Sequence, residues 1–130
     1  MAAQEASLFL VGWLRLRRSA PRPVTTGTVS VYWAVQGGVV RYVGITERFA
    51  ERYLEQLRDK GISVSQIYRL ENLARYDARA VEQVLIERFG LEKYGTLLNK
   101  INSIATNNPI YTNAVQRGRE ILKAVGFQGP

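Results

Sequence analysis

From Thr28 the chain alternates, with Val29, Val31, Trp33 and Val35 on one side and Ser30, Tyr32, Ala34 and Gln36 on the other. This period of two is the mark of a half-buried strand. Val39 to Ile45 forms a second run, and Gly37-Gly38 between them can supply the positive φ angles of a tight hairpin. Register decides where Tyr32 and Tyr42 point. A two-residue loop opposes Tyr32 to Val43 and sends the two phenols to opposite faces. A three-residue Gln36-Gly37-Gly38 loop opposes Val35 to Val39 and Tyr32 to Tyr42, on one face. The second register is the expectation.

Thr46 is the expected N-cap of a helix to Lys60, with Glu47 in its first turn, Gly61 just past its end and Phe49, Tyr53, Leu54 and Leu57 as its buried stripe. Ile62 to Leu70 alternates as a third strand. After a Glu71-Asn72 turn, Asp77 caps a second helix through Phe89, ended by Gly90, with Val81, Val84, Leu85 and Phe89 inward. Thr96 to Ile104 is extended, Asn107-Asn108-Pro109 turns, and a last helix spans 113–125, closed by Gly126. The pattern predicts a small α/β domain of the α+β kind, a three-stranded antiparallel sheet flanked by helices, over residues 27–130. Residues 1–26 form an N-terminal extension. Its apolar run, Leu8 to Leu14, is too short to span a bilayer, and its charges, Arg15, Arg17 and Arg18, follow that run instead of preceding it as a signal peptide requires.

Composition narrows the chemistry. The 130 residues hold no cysteine and no histidine, so thiolate nucleophiles, disulfides and the commonest general base are excluded. Carboxylate, tyrosine and lysine remain to move protons, and any metal would be a hard, oxygen-liganded cation such as Mg²⁺ or Mn²⁺. Eighteen Lys and Arg against eleven Asp and Glu give a net charge of +7, which favours a polyanionic partner. The last helix, with Arg117, Arg119 and Lys123, could extend a basic face.

Glu82 falls on the second helix among Ala78, Leu85, Ile86 and Phe89, all apolar, where a carboxylate is costly without a cation or hydrogen bonds. It could also reach out to Arg79. Arg52 lies one turn past Arg48 at the end of the hairpin, and Glu55 at i+3 offers it a surface pair worth about 0.3 kcal/mol. Singly, each of these residues is ordinary. Together, Tyr32, Tyr42 ten residues on, Arg52 ten further, Glu82 on the second helix and Asn99 in a following extended segment form a constellation.

Val31-Tyr32, Tyr42-Val43-Gly44, Phe49, Arg52, Glu82 within Val81 to Ile86, and Asn99 resemble the GIY-YIG nuclease domain, over residues 28 to 104. Leu70 to Leu73 through Glu87, and Leu97 to Ile104 leading to Asn108 to Tyr111, are similar to GIY-YIG domains at the C-terminal ends of Rhs-type polymorphic bacterial toxins. The resemblance implies a GIY-YIG-like fold and metal-dependent DNA endonuclease activity, with RNA left open as substrate. It implies one Mg²⁺ or Mn²⁺ on Glu82, Arg52 on the scissile phosphate, Tyr32 or Tyr42 activating water, and Asn99, or alternatively Asn102, fixing the geometry. Arg41, Arg48, Lys100 and Asn102 become expected nucleic-acid contacts.

Two departures stand out: Ile45 occupies a position often held by lysine, and Gln56 one often held by histidine. The toxin likeness further implies a secreted effector delivered by a dedicated secretion system into the cytoplasm of a target cell, and a cognate immunity protein, acidic in character. Two rival expectations are a repair, restriction or mobile-element nuclease, and a catalytically silent nucleic-acid-binding module.

Overall fold

A computed structural model describes residues 26–130, so the N-terminal extension, with Leu8, Val11, Leu14, Arg15, Arg17 and Arg18, lies outside the described residues apart from Thr26. The elements run β1 (Ser30–Gln36), β2 (Val39–Thr46), α1 (Phe49–Lys60), β3 (Ser65–Gln66), α2 (Arg75–Phe89) and α3 (Tyr111–Val125). The sheet is three-stranded and antiparallel in the order β2-β1-β3. This is the expected α+β architecture.

The hairpin corrects the expected register. Gln36 opposes Val39 across a two-residue Gly37-Gly38 turn, with φ of 57° and 78° at the two glycines, values an L side chain rarely adopts. Tyr32 opposes Gly44, and Tyr42 opposes Ala34. The two-residue loop alone would have split the tyrosines. A bulge prevents it: Ala34 faces Tyr42 while Val35 faces Val40, so Arg41 is one residue more than the partner strand supplies. The extra residue reverses the alternation of β2, which returns Tyr42 to the face of Tyr32 and sets Val40 and Val43 together in the opposite core.

Beneath that opposite face lies the main core. Val31, Val40, Val43, Leu70, Val81, Leu85, Ile86 and Ile121 pack there, with Trp33, Val84 and Phe89 partly buried against them. The pairing of α2 with α3 is close because Gly118 has no side chain; a Cβ there would stand 2.5 Å from the Ala80 carbonyl oxygen.

Several expected boundaries shift for local reasons. Thr46 ends β2 instead of capping α1, and its hydroxyl accepts a hydrogen bond from the Arg48 backbone N–H at 3.0 Å. Glu47 consequently stays outside the helix. On α1, Leu54 and Leu57 are exposed and Gln56 is buried, so the inward stripe is Phe49, Tyr53 and Gln56. The third strand holds only Ser65 and Gln66, because Arg69 (φ 67°) and Asn72 (φ 57°) turn the chain after it. α2 begins at Arg75, which places Asp77 inside the helix, bound to Arg117 at 3.0 and 3.2 Å. That bond removes Arg117 from the free cations of the last helix, which begins at Tyr111 instead of Asn113. Gly61, Gly90 and Gly126 end their helices as expected.

Residues 96–104 form no strand, yet they cover the outer edge of β2. The Leu98 N–H donates to the Arg41 carbonyl at 2.6 Å, and the Thr96 hydroxyl to the Val40 carbonyl at 2.9 Å. Among the described residues no helix is long and apolar enough to cross a membrane.

Candidate active site

Tyr32 is the centre of the polar face. Its side chain is fully buried, its ring stacks on Tyr42 with centroids 6.2 Å apart, and Phe49 meets it edge-on. The ring lies over Gly44 so closely that a Cβ at that residue would sit 2.4 Å from the phenol carbon and oxygen. Glycine is required at residue 44 by this contact, because the ring occupies the space a side chain would need.

Two donors converge on the Tyr32 oxygen. Arg52 Nη1 reaches it at 3.1 Å and Gln56 Nε2 at 2.9 Å. Arg52 also donates from Nη1 to the Ile45 carbonyl at 3.3 Å and from Nε to Glu55 at 3.0 Å. The expected i,i+3 pair with Glu55 therefore coexists with the contact to tyrosine. Burial pushes the Tyr32 phenol above its usual pKa of 10.0; the Arg52 and Gln56 hydrogen bonds pull it back, and Tyr42 adds to the rise.

Helix α1 presents these groups at intervals of four. Arg52, Gln56 and Lys60 share one stripe, Arg48 sits at the cap just before it, and Lys60 Nζ lies 5.4 Å from the Tyr42 ring centroid. Sequence reasoning missed Gln56 and Lys60 as neighbours of the tyrosines. The repeat of polar residues at i, i+4 and i+8 from Arg52 was the signal that could have found them.

Glu82 is partly buried on α2. Burial raises its pKa above the usual 4.5, while a hydrogen bond with Ser103 and the charges of Arg79 and Arg52 lower it. Arg79 itself binds the Ser103 carbonyl at 2.6 Å, so the 103 loop, Arg79 and Glu82 form one group to which Arg52 is electrostatically linked. Burial outweighs these partners, and a carboxylate left in that state suits a bound divalent cation. Among the described residues no cluster of three or more acidic ligands exists, so such a cation would take one protein carboxylate and fill its other positions from water and phosphate.

Asn99 and Asn102 separate clearly. The Asn99 amide donates to the Val43 carbonyl at 2.7 Å and accepts from the Val43 N–H at 3.0 Å, replacing a missing neighbouring strand beside Tyr42. Asn102 instead accepts from Gln83 Nε2 at 3.0 Å, on the part of α2 that holds the loop at Ile104. Lys100 is exposed. Arg41 is partly buried at the bulge, with its Nε enclosed and without a hydrogen-bond partner. Arg48 is exposed and paired with Glu51 at 3.4 Å.

Beside Arg52 a polar cleft of about 390 Å³ is lined by Ile45, Thr46, Glu47, Arg48, Glu51, Arg52, Glu55 and Arg75. Its arginines are each matched by a glutamate, Arg75 with Glu47 at 2.7 Å. A buried phenol held by a guanidinium, beside a cleft whose three arginines pair with three glutamates, offers one oxygen that can hold or release a proton.

Comparison of the chain with protein-family models, with curated proteins and with solved structures finds no match in any of the three.

Proposed function

We propose that this chain is a metal-dependent endonuclease that hydrolyses DNA phosphodiester bonds, acting as the toxic domain of an antibacterial effector. The observation that carries the nuclease proposal is the contact of Arg52 with the Tyr32 oxygen, with Tyr42 stacked alongside, because it brings a guanidinium and two phenols together on one face of the hairpin. Phosphodiester hydrolysis needs an activated water, positive charge on the phosphoryl oxygens and help for the leaving 3′ oxygen.

In this proposal Arg52 orients the phosphate through its forked donors. Tyr32 or Tyr42 orients the attacking water and takes its proton. The burial that raises the Tyr32 pKa works against this step, and Arg52 and Gln56 work for it. Glu82 would hold the Mg²⁺ or Mn²⁺ ion, which when bound neutralises charge developing on the phosphate. Arg48, Lys60 and Lys100 add positive charge along the approaching backbone.

A plasmid-nicking assay with and without EDTA tests this. Cleavage in Mg²⁺ is expected, with Arg52→Ala and Glu82→Ala each abolishing it while the circular dichroism of the fold persists. Near-wild-type cutting by either variant sinks the site assignment, and binding in EDTA with no cleavage on adding Mg²⁺ favours the silent binding module. The effector proposal rests on the likeness of residues 70–111 to Rhs-type toxin domains. It implies delivery into a target cell's cytoplasm and an acidic immunity protein covering the basic surface. Cytosolic expression should arrest growth with loss of DNA, and harmless high-level expression would remove the toxin proposal.

A further inference from the structure

Gln56 is buried against the Tyr32 oxygen with half of its amide unused. Nε2 donates to that oxygen at 2.9 Å, whereas Oε1 is enclosed and has no hydrogen-bond partner. Turned over about its last torsion, the same amide would place Oε1 on the phenol and leave Nε2 unpartnered. Each orientation strands one buried amide atom, so neither is favoured by the amide's own bonding. They differ in what they offer tyrosine: one presents a donor, the other an acceptor.

The second donor does not turn. Arg52 has only N–H groups, and its Nη1 is fixed between the Tyr32 oxygen and the Ile45 carbonyl. A neutral phenol beside Arg52 can accept from the guanidinium and donate its O–H to Gln56 Oε1. A phenolate can accept from both Arg52 Nη1 and Gln56 Nε2. The phenol oxygen keeps two hydrogen bonds in either state, and only the amide has to rotate.

We propose that Gln56 is a positioning residue that turns its amide with the protonation state of Tyr32, so that Tyr32 can take up and release a proton without losing a hydrogen bond. The inference rests on the nuclease proposal for its use, although the hydrogen-bond exchange stands on its own geometry. The charged and titratable groups around the phenol are Arg52, with Glu55 behind it on α1, Tyr53 on α1 in the same cluster, Tyr42 on β2, Lys60 over the Tyr42 ring, and Glu82 on α2 acting through Arg52. Of these only Arg52 is hydrogen-bonded to the Tyr32 oxygen, and a guanidinium can only donate.

The test replaces tyrosine by 3-fluorotyrosine, whose phenol ionises at lower pH, and follows the Tyr32 resonance by ¹⁹F NMR, assigned by its loss in Tyr32→Phe. Gln56→Leu removes the donor to the phenolate and the acceptor to the phenol, and the Tyr32 midpoint should rise by about one pH unit, because the hydrogen bond lost by the charged oxygen is the stronger of the two. Gln56→Glu accepts from the phenol and cannot donate, so its midpoint should rise further; this variant decides the matter if Gln56→Leu does not fold. Gln56→His can present either a donor or an acceptor nitrogen and should return the midpoint towards wild type.

The acid limb of the DNA-cleavage pH profile should move in the same order, with about a tenfold loss of kcat/KM at neutral pH for Gln56→Leu and DNA affinity unchanged. A Tyr32 midpoint in the deciding variant equal to that of wild type would overturn the proposal. Shifted midpoints in a protein that cuts no DNA would leave the amide exchange standing and remove the nuclease proposal alone.

Discussion

The two faces of the β1–β2 hairpin are built from the same strands and differ in what holds them. One buries Val31, Val40 and Val43 against Leu85 and Ile86 of α2, where contacts are apolar and shared among many neighbours. The other buries Tyr32 and Ala34 under α1, with Tyr42, Phe49 and Tyr53 around them and Arg52 and Gln56 bonded to one oxygen. An apolar layer tolerates a missing atom as a cavity. A buried polar layer requires each donor and acceptor to be matched, so one displaced group disturbs all of its partners. The first face can supply stability while the second is left free to supply chemistry.

The largest expected effect falls on the apolar face. Leu85 is fully buried, and Leu85→Ala should cost about 2–5 kcal/mol in denaturant unfolding through lost burial and the cavity left behind. Cleavage per folded molecule should be unaffected where the variant remains folded. Equal loss in stability and in specific activity would break the division between the faces.

Next comes Gly44→Ala, which strikes the polar face from below. Its methyl group would need the space of the Tyr32 phenol, 2.4 Å away, and must push the ring off Arg52 and Gln56. We expect about 1–3 kcal/mol of destabilisation from overpacking, and about a hundredfold loss of the proposed cleavage, within the range of a lost general base. A variant that cuts like wild type would show that the Tyr32 position does not matter to the reaction.

Much of the hairpin and of the helix ends was legible in the sequence because glycines mark them. Gly37-Gly38, Gly61, Gly90 and Gly126 supply backbone angles that few other residues adopt, and the chain turns or stops at each. The bulge was not legible. Nothing in Val40-Arg41-Tyr42 announces an extra residue, and only the competition between a two-residue turn and a shared tyrosine face reveals the need for one. The apolar stripe of α1 misled because Leu54 and Leu57 looked like core, whereas the space beneath α1 is taken by phenols that need polar partners, and Gln56 faces them. Ile62 to Leu70 alternates like a strand, but only Ser65 and Gln66 pair, and Arg69 in a left-handed conformation turns the chain beyond them, a choice that tertiary packing makes and local pattern does not. Of the expected site residues, Tyr32, Tyr42 and Arg52 meet directly, Asn99 supports the adjacent strand and Asn102 belongs to another contact set.

Glu82 sharpens the contrast between stability and chemistry through pH. Burial holds its pKa above 4.5 in the folded chain, so the folded state binds the proton more tightly than the unfolded state does. Stability therefore falls as pH rises from the unfolded value through the raised folded value, and the cost persists at neutral pH. Glu82→Gln should melt a few degrees above wild type at neutral pH. That advantage should shrink as pH falls through the window and vanish below about 4.5, the usual value. Added Mg²⁺ should narrow the gap by stabilising wild type alone. A variant that melts at or below wild type at neutral pH would show that the Glu82 carboxylate is already fully compensated.

The smallest expected effect concerns Glu55, the counter-charge that keeps one side of the Arg52 fork occupied. The pair is a 3.0 Å contact with the two side chains 37% and 47% exposed, so solvent screens it and its removal should cost no more than about 0.2–1 kcal/mol. In the proposed reaction the same carboxylate would repel a phosphate approaching the cleft and compete with it for Arg52 Nε. In Glu55→Gln the guanidinium keeps its contacts with Tyr32 and Ile45, while Nε no longer faces a charged partner. Binding of a short DNA duplex, measured by anisotropy at fixed salt, should tighten by about threefold, and stability should be nearly unchanged. The gain should fall away as salt is raised, because it is an exposed electrostatic term. A loss of affinity would instead mean that Glu55 holds Arg52 in its binding orientation, and the ion pair would then belong to the working face of the hairpin and not to its solvent rim.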